Sequence, residues 1–304
     1  METSEPYRRQ VALLVRTLPF VVEEDCFAVK GGTAINLFLR DLPRLSVDID
    51  LTYLPVANRA TSLAEIDSAM KRIAIRISDS MSKTRVHVGT LASEHTVNKL
   101  FVQAAGTQIK IEVTPVTRGC VYKPVLKTVS SRVEERYGFA EALVVSFADL
   151  YAGKLVAALD RQHPRDLFDV RGLLANEGID DNLRSAFIVY LLSHNRPMAE
   201  VLSPTRKDIS QEYERGFKGM TEIPVSLDEL IEAREQLIAE IVGNMPQGHK
   251  EMLISFKTGR PDWSLLDIRD VQHLPAVRWR MENLHKIDKD RRAKLLSRLR
   301  AVLT

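Results

Sequence analysis

The 304-residue sequence predicts an α+β protein in two parts, a mixed α/β domain over residues 1–140 and a mainly helical domain over 141–304. Three observations lead there. Short runs that alternate apolar and polar residues, at 47–51, 85–91, 98–104 and 108–114, read as strands. Segments of helical period lie between them, so strands and helices are mixed along the first half. From about Ser146 the strand signals stop, and capped segments of helical period take over.

In order along the chain, residues 7–22 carry apolar side chains at near-helical spacing and predict an opening helix, followed by a short apolar strand at 27–29. Gly31 and Gly32 then break the strand, and residues 34–39 predict a helix with Ile35, Leu37 and Phe38 partly buried. Pro43 marks the loop before the strand at 47–51. A helix is expected over 63–81 and three strands after it. Ser146, with Asp149 three residues later, has the form of a capping box and opens a helix to about Arg161. Pro164 suits the first turn of a helix to about Asn176. Ser226 and Glu229 cap a further helix ending near Gly243, and residues 276–304 end in an amphipathic helix.

Composition narrows the function classes. With 43 Lys and Arg against 40 Asp and Glu, the formal charge of +3 is too small to mark a nucleic-acid binder by itself. The two cysteines, Cys26 and Cys120, give neither a disulfide framework nor a thiol metal cluster, which fits a reducing compartment. The seven histidines show no paired metal-ligand spacing, and His163 before Pro164 reads as a helix-entry residue. No Walker loop and no Gly-x-Ser-x-Gly elbow occurs. No apolar run has the length of a signal peptide or a membrane span, so a cytoplasmic protein is expected.

The chemistry is concentrated in Lys30 to Leu51, KGGTAINLFLRDLPRLSVDIDL. Gly31 and Gly32 let backbone amides approach a triphosphate, and the following helix start offers free N–H groups to anionic oxygen. Thr33 can add its hydroxyl. Alternation along the strand projects Asp48 and Asp50 together while Val47, Ile49 and Leu51 turn to the core. Two neighbouring carboxylates form a hard oxygen site suited to Mg²⁺ or Mn²⁺ that also takes phosphate oxygens from an NTP. Either half alone is more often a turn or the wet face of a strand. Together they are the two parts that metal-assisted phosphoryl transfer requires.

Gly31-Gly32-Thr33, the Arg44-Leu45-Ser46 approach and Asp48-Ile49-Asp50 resemble motif I of the AbiEii/AbiGii nucleotidyltransferase toxin family, which includes the MenT-like toxins. The resemblance implies a polymerase-β-like nucleotidyltransferase domain, with Ser46 beside the nucleotide. The Thr33 to Asp48 spacer is longer than the compact form common in that superfamily, which leaves the helix length open. A third acid on a neighbouring strand is typical there, and Glu112 is the candidate, sharing a face with Lys110 and Thr114. Glu112 is equally well an exposed strand residue.

A second run, SFADLYAGKLVAALDRQHPRDLFDV, holds Lys154 as the lone cation in a small, apolar helical stretch. It resembles the family's downstream helix lysine and Arg-Asp-aromatic-Asp element. That implies active-site roles for Lys154 and Asp169 contributed by the helical domain, nucleotide contact by Lys154 and Arg165, and a less certain role for Asp166. Read without the resemblance, the same residues form an ion-pair network stapling two helices, Arg165 with Asp169 among them.

Residues 253–266 also resemble the family's C-terminal region, with packing by Trp263 as the alternative. Nine Lys or Arg against three acids over 276–304 could meet RNA phosphates, although a solvated helix face is the more frequent outcome. The expected function is transfer of NMP from an NTP to a hydroxyl, with tRNA as acceptor and a cognate antitoxin as partner. Two other readings stand beside it: the same chemistry on a protein or small-molecule hydroxyl, and a catalytically silent binding module.

Overall fold

A computed structural model describes residues 5–91 and 93–304, which form two compact units. The first runs to Ser146 and includes the later segment Gly219–Pro224; the second comprises Phe147–Lys218 and Val225–Thr304.

The first unit opens with helix α1 (Glu5–Val22) and strand β1 (Phe27–Lys30). Helix α2 follows with no intervening loop. It begins at Gly31–Ala34 and continues as a wider π turn over Ile35–Leu39, with Lys30 as its extended N-cap. The helix expected over 34–39 therefore starts three residues earlier, and the two glycines form its first turn. Strand β2 (Asp48–Tyr53) leads to α3 (Arg59–Ser80), whose Asn58 cap accepts from the Thr61 amide at 2.9 Å. Leu63, Ile66, Met70, Ile73 and Ile77 recur at helical spacing on its buried face.

Strands β3 (Thr84–Leu91), β4 (Thr96–Ala104) and β5 (Thr107–Val113) form an antiparallel meander close to the expected strands. Strand β6 (Val125–Thr128), helix α4 (Ser131–Tyr137) and strand β7 (Glu141–Val144) complete the unit.

The seven strands lie in the order β3-β4-β5-β2-β1-β7-β6. The sheet is mixed: β2 runs parallel to β5, and β1 parallel to β7, while the other pairs are antiparallel. Because β7 pairs with β1, residues 141–144 are part of the sheet, and the units divide after Ser146 rather than near residue 140. Helix α1 packs on β5 and β7, and α3 on β3 and β4. Ile49, Leu51, Ile111 and Val113 on the sheet are fully buried with Leu14, Leu18, Ile66 and Met70 of these helices. Alternation then sends Asp48, Asp50, Lys110 and Glu112 to the other face.

The second unit is helical: α5 (Phe147–Arg161), α6 (Pro164–Asn176), α7 (Asp181–Ser193), α8 (Met198–Leu202), α9 (Ser210–Gly216), α10 (Leu227–Ile238), α11 (Gln247–Thr258), α12 (Pro275–Lys286) and α13 (Lys289–Leu303). Local signals fix several boundaries. Pro164 occupies the first turn of α6, and the Ser226–Glu229 capping box is formed. Helix α10 passes into a π turn, Ala239–Gly243, at the expected end. The tail is two helices, because Asp288 caps α13 and accepts from the Arg291 amide at 2.8 Å. Among the described residues no helix is long and apolar enough to cross a membrane.

Candidate active site

The Gly-Gly turn is where side chains of this chain crowd the backbone. Gly31 has φ +75°, and a Cβ there would lie 2.6 Å from Asp50 Oδ2. Only glycine satisfies both the left-handed backbone and that contact. At Gly32 a Cβ would meet Arg44 Nη2 at 2.7 Å and Ser46 Oγ at 3.2 Å. The bare backbone thus admits a carboxylate on one side and a guanidinium on the other, a use of glycine that the sequence pattern alone did not suggest.

Arg44 is 3% exposed and is tied down by its neighbours. Its amide donates to Asn36 Oδ1 at 3.3 Å and its Nη1 to the Leu45 carbonyl at 2.9 Å, while Asn36 Nδ2 donates to the Gly32 carbonyl at 2.6 Å. Thr33 and Ser46 hydroxyls are 2.9 Å apart, and Thr33 Oγ1 donates to the Asp48 carbonyl. These bonds fasten the start of α2 to the entry of β2. The same entry is held by a segment much later in the chain: the Leu45 amide donates to the Met220 carbonyl at 3.1 Å, and Arg44 forms a bridge with Thr221.

Across the exposed face of the sheet the register aligns Lys30, Asp50, Glu112 and Lys99 on four neighbouring strands. Charge in this row runs plus, minus, minus, plus. One step along, Asp48 faces Lys110, whose Nζ lies 3.7 Å from Asp48 Oδ2 and 2.8 Å from Glu112 Oε2. Lys99 takes the other Glu112 oxygen at 2.9 Å. Lys30 Nζ donates to Thr114 Oγ1 at 3.2 Å.

Environment separates the acids. Burial raises the Asp50 carboxyl above its ordinary range; Lys30 opposes the shift and the Asp48 charge reinforces it. Burial likewise pushes the Lys30 ammonium down, against the pull of Asp50. For Glu112, burial works upward, but the bonds from Lys110 and Lys99 prevail and hold it below the usual value. Glu112 is therefore a weak proton acceptor with both oxygens engaged.

Among the described residues no three His, Cys, Asp or Glu gather at metal-binding separation. The fit is instead to a cation that takes few protein ligands. Asp48 and Asp50 supply hard oxygens, and the half-buried Asp50 carboxylate gains from a counter-charge. Mg²⁺ meets this description, since it retains waters and shares phosphate oxygens.

In the second unit Lys154 of α5 is 7% exposed and bridges two carboxylates of α6, Asp166 Oδ1 and Asp169 Oδ2, each at 2.9 Å. Arg161 also holds Asp166, with Nη2 to Oδ1 at 2.9 Å. Burial opposes ionisation of Asp166, but Lys154 and Arg161 outweigh it and hold the carboxyl far below its usual range. The helix-stapling network is thus present. Its pairs differ from the expected one: Asp169 is bonded to Lys154, and Arg165 has no side-chain bond among the described residues. His163 caps α6 through Nδ1, which accepts from the Arg165 amide at 3.1 Å.

Sequence reasoning missed Lys30, Lys99 and Asn36. Lys30 directly precedes Gly31, so alternation on β1 could have placed it, but its position opposite Asp50 follows only from the antiparallel register. Arg44 is visible in the sequence only as part of the motif, and its contacts come from the fold.

A helix that starts on a glycine pair beside an Asp-x-Asp strand, in a mixed sheet followed by a helical unit, defines a nucleotidyltransferase fold. MenT4, a nucleotidyltransferase toxin of Mycobacterium tuberculosis H37Rv, has a similar fold, with TM-score 0.61 and 14% identity over 98% of this chain and 94% of that one. No curated protein sequence matches the chain. The family model described as nucleotidyl transferase AbiEii toxin, type IV TA system, matches residues 12–283, and the chain belongs to that family. It is therefore a nucleotidyltransferase toxin of a type IV toxin–antitoxin system, and its family implies a cognate antitoxin.

Proposed function

We propose that this enzyme transfers a nucleoside monophosphate from an NTP to the 3′-hydroxyl of a tRNA, and that it acts in the cytoplasm. The observation that supports the chemistry is the Asp48–Asp50 pair against the Gly31–Gly32 helix start, with Asp50 half-buried and next to a second carboxylate. Asp48 and Asp50 would hold the divalent cation. When bound, Mg²⁺ neutralises charge developing on the phosphoryl oxygens and acidifies the attacking hydroxyl.

The chain's own residues do the rest. Amides at the start of α2 and the hydroxyls of Thr33 and Ser46 bind phosphate oxygen. Lys110 supplies positive charge beside the carboxylates, and Lys30 faces Asp50 across the strand pair. Glu112, engaged by Lys99 and Lys110, positions these lysines rather than taking a proton. Lys154 and Arg165 are assigned to the triphosphate, with Asp166 and Asp169 orienting Lys154. The acceptor oxygen forms a bond to the α-phosphorus as the bond to the β-phosphate bridging oxygen breaks. Pyrophosphate leaves, and the hydroxyl proton passes to water. Charge stabilisation and positioning supply most of the catalysis.

The test is incubation with each α-labelled NTP, Mg²⁺ and bulk tRNA beside Asp48→Asn protein. Label on tRNA, reduced more than about 100-fold in the variant, is expected. Label on protein alone would replace tRNA by a protein acceptor, and equal labelling by the variant would overturn the assignment of Asp48.

A further inference from the structure

The acid pair occupies one end of a wider sheet face, most of which the transfer chemistry leaves unused. Strands β5, β4 and β3 extend that face outward from β2, and alternation decides what they present on it. Leu100, Val102, Ile109 and Ile111 are buried on the side where α1 and α3 pack. The opposite side carries Lys110 on β5, Lys99 and Phe101 on β4, and Arg85, His87 and Gly89 on β3, none of them buried.

The register sets these residues beside one another. Phe101 lies across from Lys110 on one flank and His87 on the other, and Lys99 lies between Glu112 and Gly89. Residues opposed in this way share a face and stand about 5 Å apart. Gly89 keeps the group from being crowded: a Cβ there would come within 3.2 Å of Lys99 Cβ and 3.4 Å of Phe101 Cε2. The Phe101 ring thus rests against bare backbone of β3 and stays only half-buried. Outside the Asp48–Asp50 pair, the charge here is one-sided. Arg85, Lys99 and Lys110 share a single carboxylate, Glu112, which takes Lys99 at 2.9 Å and Lys110 at 2.8 Å. An ammonium has three N–H donors, so each lysine keeps capacity for a further oxygen.

An open aromatic ring with cations on either flank suits a single-stranded nucleic acid. A base of any identity stacks on the ring, while the cations track the phosphates. The face is continuous with the transfer site, because Lys110 Nζ also lies 3.7 Å from Asp48 Oδ2. At ordinary strand spacing β2 and β3 are roughly 14 Å apart, a span that a few nucleotides cover. We propose that the open face of β3, β4 and β5 binds the unpaired 3′ end of the acceptor RNA, with a base on Phe101 and backbone phosphates at Arg85, Lys99 and Lys110. The terminal hydroxyl is thereby led to Asp48 and Asp50. This rests on the reading of an RNA 3′-hydroxyl as acceptor and adds the surface that holds it.

The test measures binding apart from transfer. A short fluorescent single-stranded RNA is titrated with the full chain, by anisotropy, without Mg²⁺ or NTP. Phe101→Leu keeps an apolar cover for Gly89 but has no ring, and should raise Kd about fivefold or more. Phe101→Tyr should bind as wild type does. Arg85→Ala should reduce the slope of log K against log salt by about 0.7. Ultraviolet cross-linking of the same RNA to the wild-type protein needs no variant, and its adducts should map to residues 99–103. An unchanged Kd for Phe101→Leu, or adducts confined to other segments, overturns the proposal. So does equal displacement of the RNA by an acidic peptide, which would make the face a protein-docking surface. Ring-dependent RNA binding with no label transferred to tRNA overturns the acceptor reading alone, whereas labelled tRNA with ring-independent binding overturns this surface alone.

Discussion

Lys154 and Lys257 lie in the same helical unit, each 7% exposed, and their surroundings are opposite. Two carboxylates at 2.9 Å meet Lys154, whereas Lys257 has two guanidinium groups for neighbours. Burial depth therefore does not determine what a buried charge does. A paired cation fastens helices together, and removing it strands its partners. One without a carboxylate partner opposes folding instead.

The largest expected effect comes from breaking the paired side. Lys154→Met leaves Asp169 and Asp166 buried with fewer counter-charges and should cost about 3 kcal/mol or more in denaturant unfolding. Lys257→Met should do the reverse near neutral pH. The folded Lys257 value lies below its ordinary 10.5, so the unfolded chain binds the extra proton between pH 8 and 10.5. Native stability from this group then increases as pH rises through that window, by up to about 3 kcal/mol. Unfolding of wild type and Lys257→Met at pH 7 and 10.5 should show the variant ahead at the lower pH and level at the higher.

Asp166 has the same sign of pH dependence, but here the charged form is the favourable one. Its depressed folded value means that its contribution is complete above the ordinary carboxylate range and is lost only as pH falls through the folded value. Acid unfolding of Asp166→Asn should therefore begin from a lower plateau, by about 2 kcal/mol, with a shallower decline below pH 4. Glu200→Gln should change stability by less than about 0.5 kcal/mol, because its pair with Arg196 is an exposed helical one. Arg165→Ala is the smallest for stability, about zero by thermal unfolding; a rise in KM for the NTP would assign it to the substrate.

The sequence made one half of this contrast easier to read than the other. The Asp48–Asp50 face, the Pro164 helix start and the Ser226 cap are local, and period or capping chemistry places them. Strands of four residues such as β6 and β7 carry too little alternation to be distinguished from loop. Lys154 stood out as a cation in an apolar helix, yet its partner was misplaced, since i to i+4 spacing favoured Arg165 with Asp169. The packing of α5 on α6 overrides that local option. Lys257 gave no signal at all. It sits in LISFKTGRPDW as an ordinary helix-end lysine, and the arginines that confine it come from two later helices. Lys30 opposite Asp50 is likewise a matter of sheet register.

One contact depends on the order of synthesis. The entry to β2 is held by the Leu45 bond to Met220 and the Arg44 bridge to Thr221. Roughly 175 residues separate these partners, and at ribosomal speeds of about 5–20 residues per second they are made roughly 10–35 s apart. The strand bearing Asp48 and Asp50 cannot acquire this clasp while the nascent chain is short. A chain cut or stalled after Ser146 lacks it altogether. In a toxin, late closure of this clasp leaves the Asp48–Asp50 strand without its tether until Met220 and Thr221 have been made.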